Sequence, residues 1–407
     1  MKKCILKLLN KIVRKSTIYV DNLNIRFSEK LPEKGDLFTF IDASSIGKKL
    51  MCIKPENLEK VRPYPIYKAI KNIQFDVEYP AIYLMEYENV SFFSNSDFII
   101  SGNEVVWDKR NYPMFSKMFP QDKELVNFDD NKVKILIDKE TVNVETAFSM
   151  CGVYATVWSH FLVQYLPKLY FFLQYTERKD EHLTIILPEY SDSHVIEVVE
   201  HYTNKFKNTT IKTLNNNQIA TCKKLYYIES TSMISDHETY ETYIDFFVPE
   251  CVSSFLKKVF APDFIKLNNV LKKEQKNKLY VVRKNAEYRN LLNIEEIENF
   301  FKAEGFLFVE PHLMSMKEKI ELFYNASEVA GPYSAGFSNI QFCRPGTKIC
   351  LLTNIQRSFE TYLSYFVDLN EVTFVAVTGT DIENDSQSSY TIPLNKVKQA
   401  YNSIFTK

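Results

Sequence analysis

Short runs of β-branched and aromatic residues recur along the first third of the chain: TIYV, LFTF, FDVEYPAIYLMEY, SFFSNSDFII, EVVWD and VKILID, parted by polar turns. Runs of this length and pattern predict strands, so residues 16–150 read as a β-rich segment. Residues 157–176 differ: nearly every position is apolar, which predicts a buried helix. HLTIILP (182–188) and KKLYYIE (223–229) predict buried strands, and residues 249–276 predict a helix and a connector ending in the polar run KKEQKNK. The main domain boundary is placed there. Beyond it, KLYVVR (278–283), FLFVE (306–310), SEVAG (327–331) and TKICLL (347–352) predict strands. IEEIENFFKAEG (294–305), stopped by Gly305, and SMKEKIELFYNA (315–326), capped by Ser315, predict helices. SAGFSNIQFC (334–343) reads as loop and helix, TGTDIENDSQSSY (378–390) as a polar loop, and 393–405 as a last helix packing back on the first domain. Strands alternating with helices of about ten residues imply parallel βαβ units and an α/β fold.

Composition narrows the class. The 407 residues suffice for two or three domains, and 45% hydrophobic with 25% charged residues is that of a soluble globular protein. Fifty basic against 51 acidic residues give a net charge of -1, which argues against a dedicated nucleic-acid binder. Seven scattered cysteines without a C-x-x-C pair read as reduced, mostly buried thiols, consistent with a cytoplasmic setting. No run of eighteen apolar residues or secretory signal is evident, so neither a transmembrane helix nor export is expected. The sequons at Asn89, Asn208 and Asn325 are read as chance. Residues 1–15, MKKCILKLLNKIVRK, carry six basic residues and an apolar face formed by Ile5, Leu8, Leu9, Ile12 and Val13. Two readings stand: a helix lying on the inner face of the plasma membrane, or a terminal helix packed on the protein. The low-Gly, Lys/Asn/Ile/Phe-rich composition suggests an A/T-rich bacterial genome.

Open parallel sheets bind ligands beyond the carboxyl ends of their strands. Arg283, Lys284 and Asn285 follow the first predicted strand of the C-terminal third, with Arg289 shortly after, and Glu310, Pro311 and His312 follow the second. The third leads into GPYSAGFSN (331–339), which holds Gly331 and Gly336, two of only nine glycines; Thr353 and Asn354 follow the fourth. Small residues entering a helix let an anion approach backbone amides, and Arg283 and Arg289 can supply charge-assisted bonds to it. The bland alternative is an ordinary strand-to-helix turn with surface arginines. In the apolar helix, His160, Gln164 and Lys168 share one face, so they line a cleft or meet other polar groups. Pro167 frees the carbonyl of Val163 and predicts a kink. The alternative here is a core histidine satisfied by backbone.

The stretch from Tyr280 to Leu352 resembles the C-terminal half of glycosyltransferase family 61, a family of capsular and surface-polysaccharide transferases. Its matching features are Arg283, Ala286, Arg289, Gly305-Phe306, Gly331-Pro332, Ala335-Gly336, Asn339 and Pro345-Gly346-Thr347. Tyr333 stands where the family has His, and Ser334 where it has Gly. WSHFLVQYLPKLYFF (158–172) resembles the family's His-Trp-Leu-x-Glu-x-Leu-Pro-Arg-Leu helix, with Gln164 in place of the acid. The resemblance implies a GT-B architecture: an acceptor Rossmann-like domain (151–270) and a donor Rossmann-like domain (277–390), flanked by the 1–15 helix, the β-rich segment and a C-terminal helix (391–407). It implies metal-independent, inverting transfer from a nucleotide sugar, expected to be UDP-linked, to a surface polysaccharide or other glycan, which the basic N-terminus suggests is lipid-linked. No cofactor is expected. No Asp-x-Asp occurs to hold a cation, so helix amides and arginines are expected to neutralise the leaving group. The expected catalytic pair is His160 and Gln164; the expected donor-site residues are Arg283, Arg289, Glu310, Tyr333, Ser334, Ala335, Gly336 and Asn339. Two alternatives remain: a pyruvyl- or phosphate-group transferase acting on cell-wall glycans, and a non-catalytic glycan-binding protein of transferase ancestry.

Overall fold

The computed structural model describes residues 36–42, 46–61, 67–68, 75–108, 125–129, 132–135, 139–176, 181–234, 246–267, 277–284, 286–355, 363, 371–383 and 387–405. The basic segment 1–15, TIYV, Asn285 and the connector before 277 lie outside them. The described residues form an α/β architecture dominated by two large sheets. No described helix is long and apolar enough to cross a membrane.

The first sheet has eleven strands. At one end Thr209–Leu214, Leu183–Pro188, Glu140–Ser149 and Gln218–Ile228 lie side by side and parallel. Ile82–Phe93 then pairs antiparallel with Gln218–Ile228, and the early strands continue the sheet from it. The β-rich segment and the parallel strands therefore share one hydrogen-bonded layer. Leu183–Pro188 is buried at every position, which explains its uninterrupted apolar run: a strand covered on both faces has no polar face to alternate with.

The second sheet runs Leu307–Val309, Asn277–Val281, Ala326–Pro332, Lys348–Asn354 and Thr373–Asp381, all parallel, with Tyr390–Thr391 antiparallel at the edge. Alternate residues face opposite layers. Tyr280, Ala330, Cys350 and Leu352 pack with Ile297 and Phe301 of helix Ile294–Ala303 and with Val397 and Tyr401 of helix Leu394–Phe405. Leu279, Val281, Val329 and Leu351 join Ile320 and Phe323 of helix Met316–Tyr324, in a core shared with the first sheet's helices. Ser315 closes a reciprocal capping box with Glu318, as the sequence pattern requires.

Two details differ from the sequence reading. The last helix packs on the second sheet rather than the first: Tyr401 stacks on Phe405 at 4.5 Å, meets Phe300, Phe301 and Phe306 edge-on, and accepts a 3.1 Å hydrogen bond from Lys278. Its apolar stripe matches the face left open by helix Ile294–Ala303, and amphipathicity alone names no partner. Thr378–Asp381, read as loop, continues the fifth parallel strand, because ladder pairing with Lys348–Asn354 overrides its polar composition.

The apolar helix runs through Trp158–His160, a π-helical turn at Phe161–Tyr165, and Leu166–Thr176. Pro167 has no N–H to give Val163, and the Val163 carbonyl instead accepts a 2.8 Å bond from the Thr231 hydroxyl. Thr231 follows the strand Gln218–Ile228, so the helix is pinned to that strand's end.

Gly331 sits at φ +148, and a Cβ there would lie 2.5 Å from the Val281 carbonyl oxygen. Gly346 sits at φ +85 with nothing within 4 Å of such a Cβ. Gly331→Ala is expected to cost about 2–4 kcal/mol in urea unfolding, against about 1 kcal/mol for Gly346→Ala, since only the first adds a backbone clash to the strain. Equal losses would refute the packing argument.

Candidate functional site

In chain order, the second sheet's parallel strands lie 2-1-3-4-5, so successive connections leave its first strand in opposite directions. Such a reversal opens a crevice between the carboxyl ends of the two neighbouring strands, here Asn277–Val281 and Ala326–Pro332. Arg283 and Tyr333 stand on its two sides. Arg283 Nη1 donates to the Tyr333 carbonyl at 2.6 Å, and Nη2 to the Tyr288 carbonyl at 2.9 Å. The Arg289 guanidinium lies over the rings of Tyr288 and Tyr333, at 5.0 and 5.5 Å.

Arg289 adopts φ +56, a left-handed conformation unusual for a residue with a side chain. Its amide donates to the Gln387 carbonyl at 2.9 Å, and Tyr390 and Leu292 extend the same pairing. The C-terminal edge of the sheet thus holds the arginine loop in a strained shape, the kind of strain that gathers at ligand sites. Beneath it, Tyr390 donates to the Leu352 carbonyl at 3.1 Å. Burial pushes the Tyr390 phenol well above its ordinary range, although both arginines pull the other way.

Several polar atoms here are buried without a hydrogen-bond partner among the described residues: Arg289 Nε, the Ser334 and Thr353 hydroxyls, and both amide atoms of Gln341. Thr353 is only 1% exposed. Buried polar groups are nearly always satisfied, so each of these exceptions is a place for a bound water or another polar molecule. Ser334 is fully extended, and the following turn, Ala335–Phe342, is a 3₁₀-helix rather than an α-helix. Ala335 is exposed, and a Cβ added at Gly336 would lie 3.2 Å from Val281 Cγ1 and 3.6 Å from Pro311 Cγ.

Two expected donor-site residues have other partners. Asn339 is 0% exposed; it donates to the Gly336 carbonyl at 2.8 Å and accepts a 3.2 Å bond from the Trp158 indole. It ties the loop to the apolar helix instead of facing outward. Glu310 forms a 2.6 Å ion pair with exposed Lys284.

At the other end of that tie, His160 Nδ1 and Gln164 Oε1 are 2.7 Å apart, and the imidazole stacks on Tyr154 at 4.4 Å. Gln164 and Lys168 are buried, and the Lys168 ammonium lies 5.1 Å from the Tyr227 ring. The first sheet also reverses its chain order, between Glu140–Ser149 and Gln218–Ile228, and a polar cluster follows those strands. Asp97 accepts bonds from Tyr165 and from the Val153 amide, each at 3.2 Å; Asp108 accepts from the Ser230 amide; Glu229 accepts from the Tyr83 amide at 2.7 Å. Sequence reasoning singled out none of these acids, because Asp97 and Asp108 reach the site only through antiparallel pairing with Gln218–Ile228.

Trp158 joins the two halves. Besides its bond to Asn339, its ring meets His194 edge-on at 4.6 Å and carries the Lys319 ammonium at 4.9 Å. Burial, reinforced by Lys319 and His312, drives His194 down to about 3, so it packs as a neutral ring near neutral pH. Burial also lowers Lys319 to about 8, with Asp192 and Glu197 opposing. The start of the His160 helix is therefore fixed against the 331–339 loop.

Residues 158–350 match the family described as Glycosyltransferase 61. No curated protein matches the chain. The matched segment opens at Trp158 and spans the His160–Gln164 turn, both arginines and the glycine loop. The match thus brackets the residues that line this site, and over a little under half of its length the chain is similar to glycosyltransferase family 61.

Proposed function

We propose that this chain transfers a sugar, with inversion and without a metal ion, from UDP to a hydroxyl of a surface polysaccharide or other glycan. In this reading the two parallel-sheet units act as the halves of a GT-B enzyme, the second binding the donor and the first the acceptor. The observation that carries it is the meeting of Arg283, Arg289 and the 331–336 loop at the reversal point of the second sheet, beside buried polar groups that have no hydrogen-bond partner among the described residues.

The chemistry follows from charge. As the anomeric C–O bond breaks, negative charge gathers on the departing diphosphate. Arginine forks and loop amides preset around it stabilise that charge without rearranging. Thr353 and Ser334 offer hydroxyls to the same oxygens. On the acceptor side, Gln164 Oε1 accepts a hydrogen bond from His160 Nδ1–H, a tautomer in which Nε2 carries the lone pair that accepts the proton of the attacking hydroxyl. Asn339 and Trp158 act by holding the two halves of the site in register.

Three outcomes test the reading. Transfer should survive excess EDTA; loss that Mn²⁺ restores would overturn the metal-independent mechanism. Arg289→Ala should weaken UDP binding by about 1.5–3 kcal/mol, as should Arg283→Ala, because each removes a charge-assisted bond in a partly dry site. Calorimetry showing unchanged UDP affinity in both would remove them from the donor site. His160→Ala should lower kcat about a hundredfold at unaltered UDP affinity. Near-normal turnover would exclude it as the base and pass the role to an acid such as Asp97.

A further inference from the structure

A groove of 420 Å³ lies away from the strand ends, between the far end of the apolar helix, the end of helix Ser193–Thr203 and helix Ala261–Leu267. Its walls are largely apolar: Tyr170, Leu173, Phe206, Val259 and Pro262. Its rim is cationic, with Lys205, Lys258 and Lys266, and its one carboxylate is Asp263. Burial raises the Asp263 carboxyl, but bonds from Lys205 at 2.6 Å and His201 at 3.2 Å prevail and hold it below its ordinary value. Burial depresses His201, leaving it neutral near pH 7. Lys205 therefore balances Asp263, and Lys258 and Lys266 remain as excess positive charge.

Two independent features indicate a ligand. Tyr202, which lines the groove, is 4% exposed, yet its hydroxyl has no hydrogen-bond partner among the described residues. The long helix beside it is also interrupted by a π-helical turn at Leu256–Phe260. Such turns are uncommon and gather at functional sites; this one carries Lys258 and Val259 into the groove lining.

We propose that this groove binds an anionic amphiphile, a single hydrocarbon chain headed by a phosphate. The chain lies along Tyr170, Leu173, Val259 and Pro262 over the buried Tyr202, and the phosphate sits at the lysine rim. Apolar walls under an uncompensated cationic rim are complementary to such a molecule and to neither a bare anion nor a neutral lipid. The groove is built from the same helix that carries His160, about ten residues or 15 Å along its axis. The proposal holds whether or not the chain transfers a sugar.

Titration calorimetry with monomeric alkyl phosphates tests it on the full chain. Decyl phosphate should bind at least tenfold more tightly than hexyl phosphate, since each buried methylene is worth about fourfold in affinity. Inorganic phosphate should show no saturable binding, and decyl maltoside should bind at least tenfold more weakly than decyl phosphate. The double variant Lys258→Glu/Lys266→Glu should lower decyl phosphate affinity at least tenfold. So should Gln174→Trp, which fills the groove from an exposed rim position, with the melting temperature retained. Competition by decanoyl lysophosphatidylglycerol supports a membrane-lipid source, and competition by farnesyl phosphate alone supports a polyisoprenoid carrier. Equal affinity for hexyl and decyl phosphate, saturable binding of inorganic phosphate, or binding indifferent to both variants would overturn the proposal.

Discussion

The hydrogen bond from the Trp158 indole to the Asn339 amide is the contact through which the two halves of the site know each other's position. Both partners are buried, and Asn339 spends its other end on the Gly336 carbonyl inside the glycine loop. Leaving either group unsatisfied in a dry interior costs about 1–3 kcal/mol, so the bond strongly favours one register of helix against loop. Lys319 over the indole and His194 against its edge close the remaining directions. Met316 N–H donates to Glu197 at 3.0 Å between the same two layers. A continuous apolar core runs beneath them, so the two sheets do not move as independent bodies without separating it.

Around this fixed centre the chain tolerates local strain where chemistry is expected. Arg289 holds a left-handed backbone, Gly331 approaches the Val281 carbonyl more closely than any side chain would allow, and the helix bearing His160 opens into a π turn. Two of these departures are compensated by a long-range partner: Gln387 for Arg289, and Thr231 for the carbonyl that Pro167 orphans. The compensating residues come from the ends of other strands. Site geometry is therefore a property of sheet assembly rather than of the motifs by themselves.

Both sheets reverse their chain order once, and polar residues gather after the strands at both reversals. The second collects arginines, hydroxyls and small residues. The first collects Asp97, Asp108 and Glu229, each bonded to a backbone amide. The two reversals thus differ in charge, cationic at the second and acidic at the first.

Much was legible in the chain alone. Periodicity located the strands and helices of the C-terminal third, because each parallel strand is covered on both faces and each helix on one. The Ser315 capping box, the orphaned Val163 carbonyl and the shared face of His160 and Gln164 are local consequences of spacing, and they needed no fold to be read. The family resemblance rested on local motifs too: Arg283 and Arg289, the 331–339 loop and the 158–172 helix. What tertiary structure decided is which distant groups answer them. Nothing in the spacing of Asn339 says that it faces Trp158, nothing around Thr353 says that its hydroxyl finds no partner among the described residues, and nothing near Asp97 places it on Tyr165. Nor does the amphipathic stripe of the last helix say which sheet it covers. Local pattern depends on a residue's own neighbours along the chain. Partnership depends on strand order and on which face each layer leaves open, and those are settled only when the whole core is buried at once.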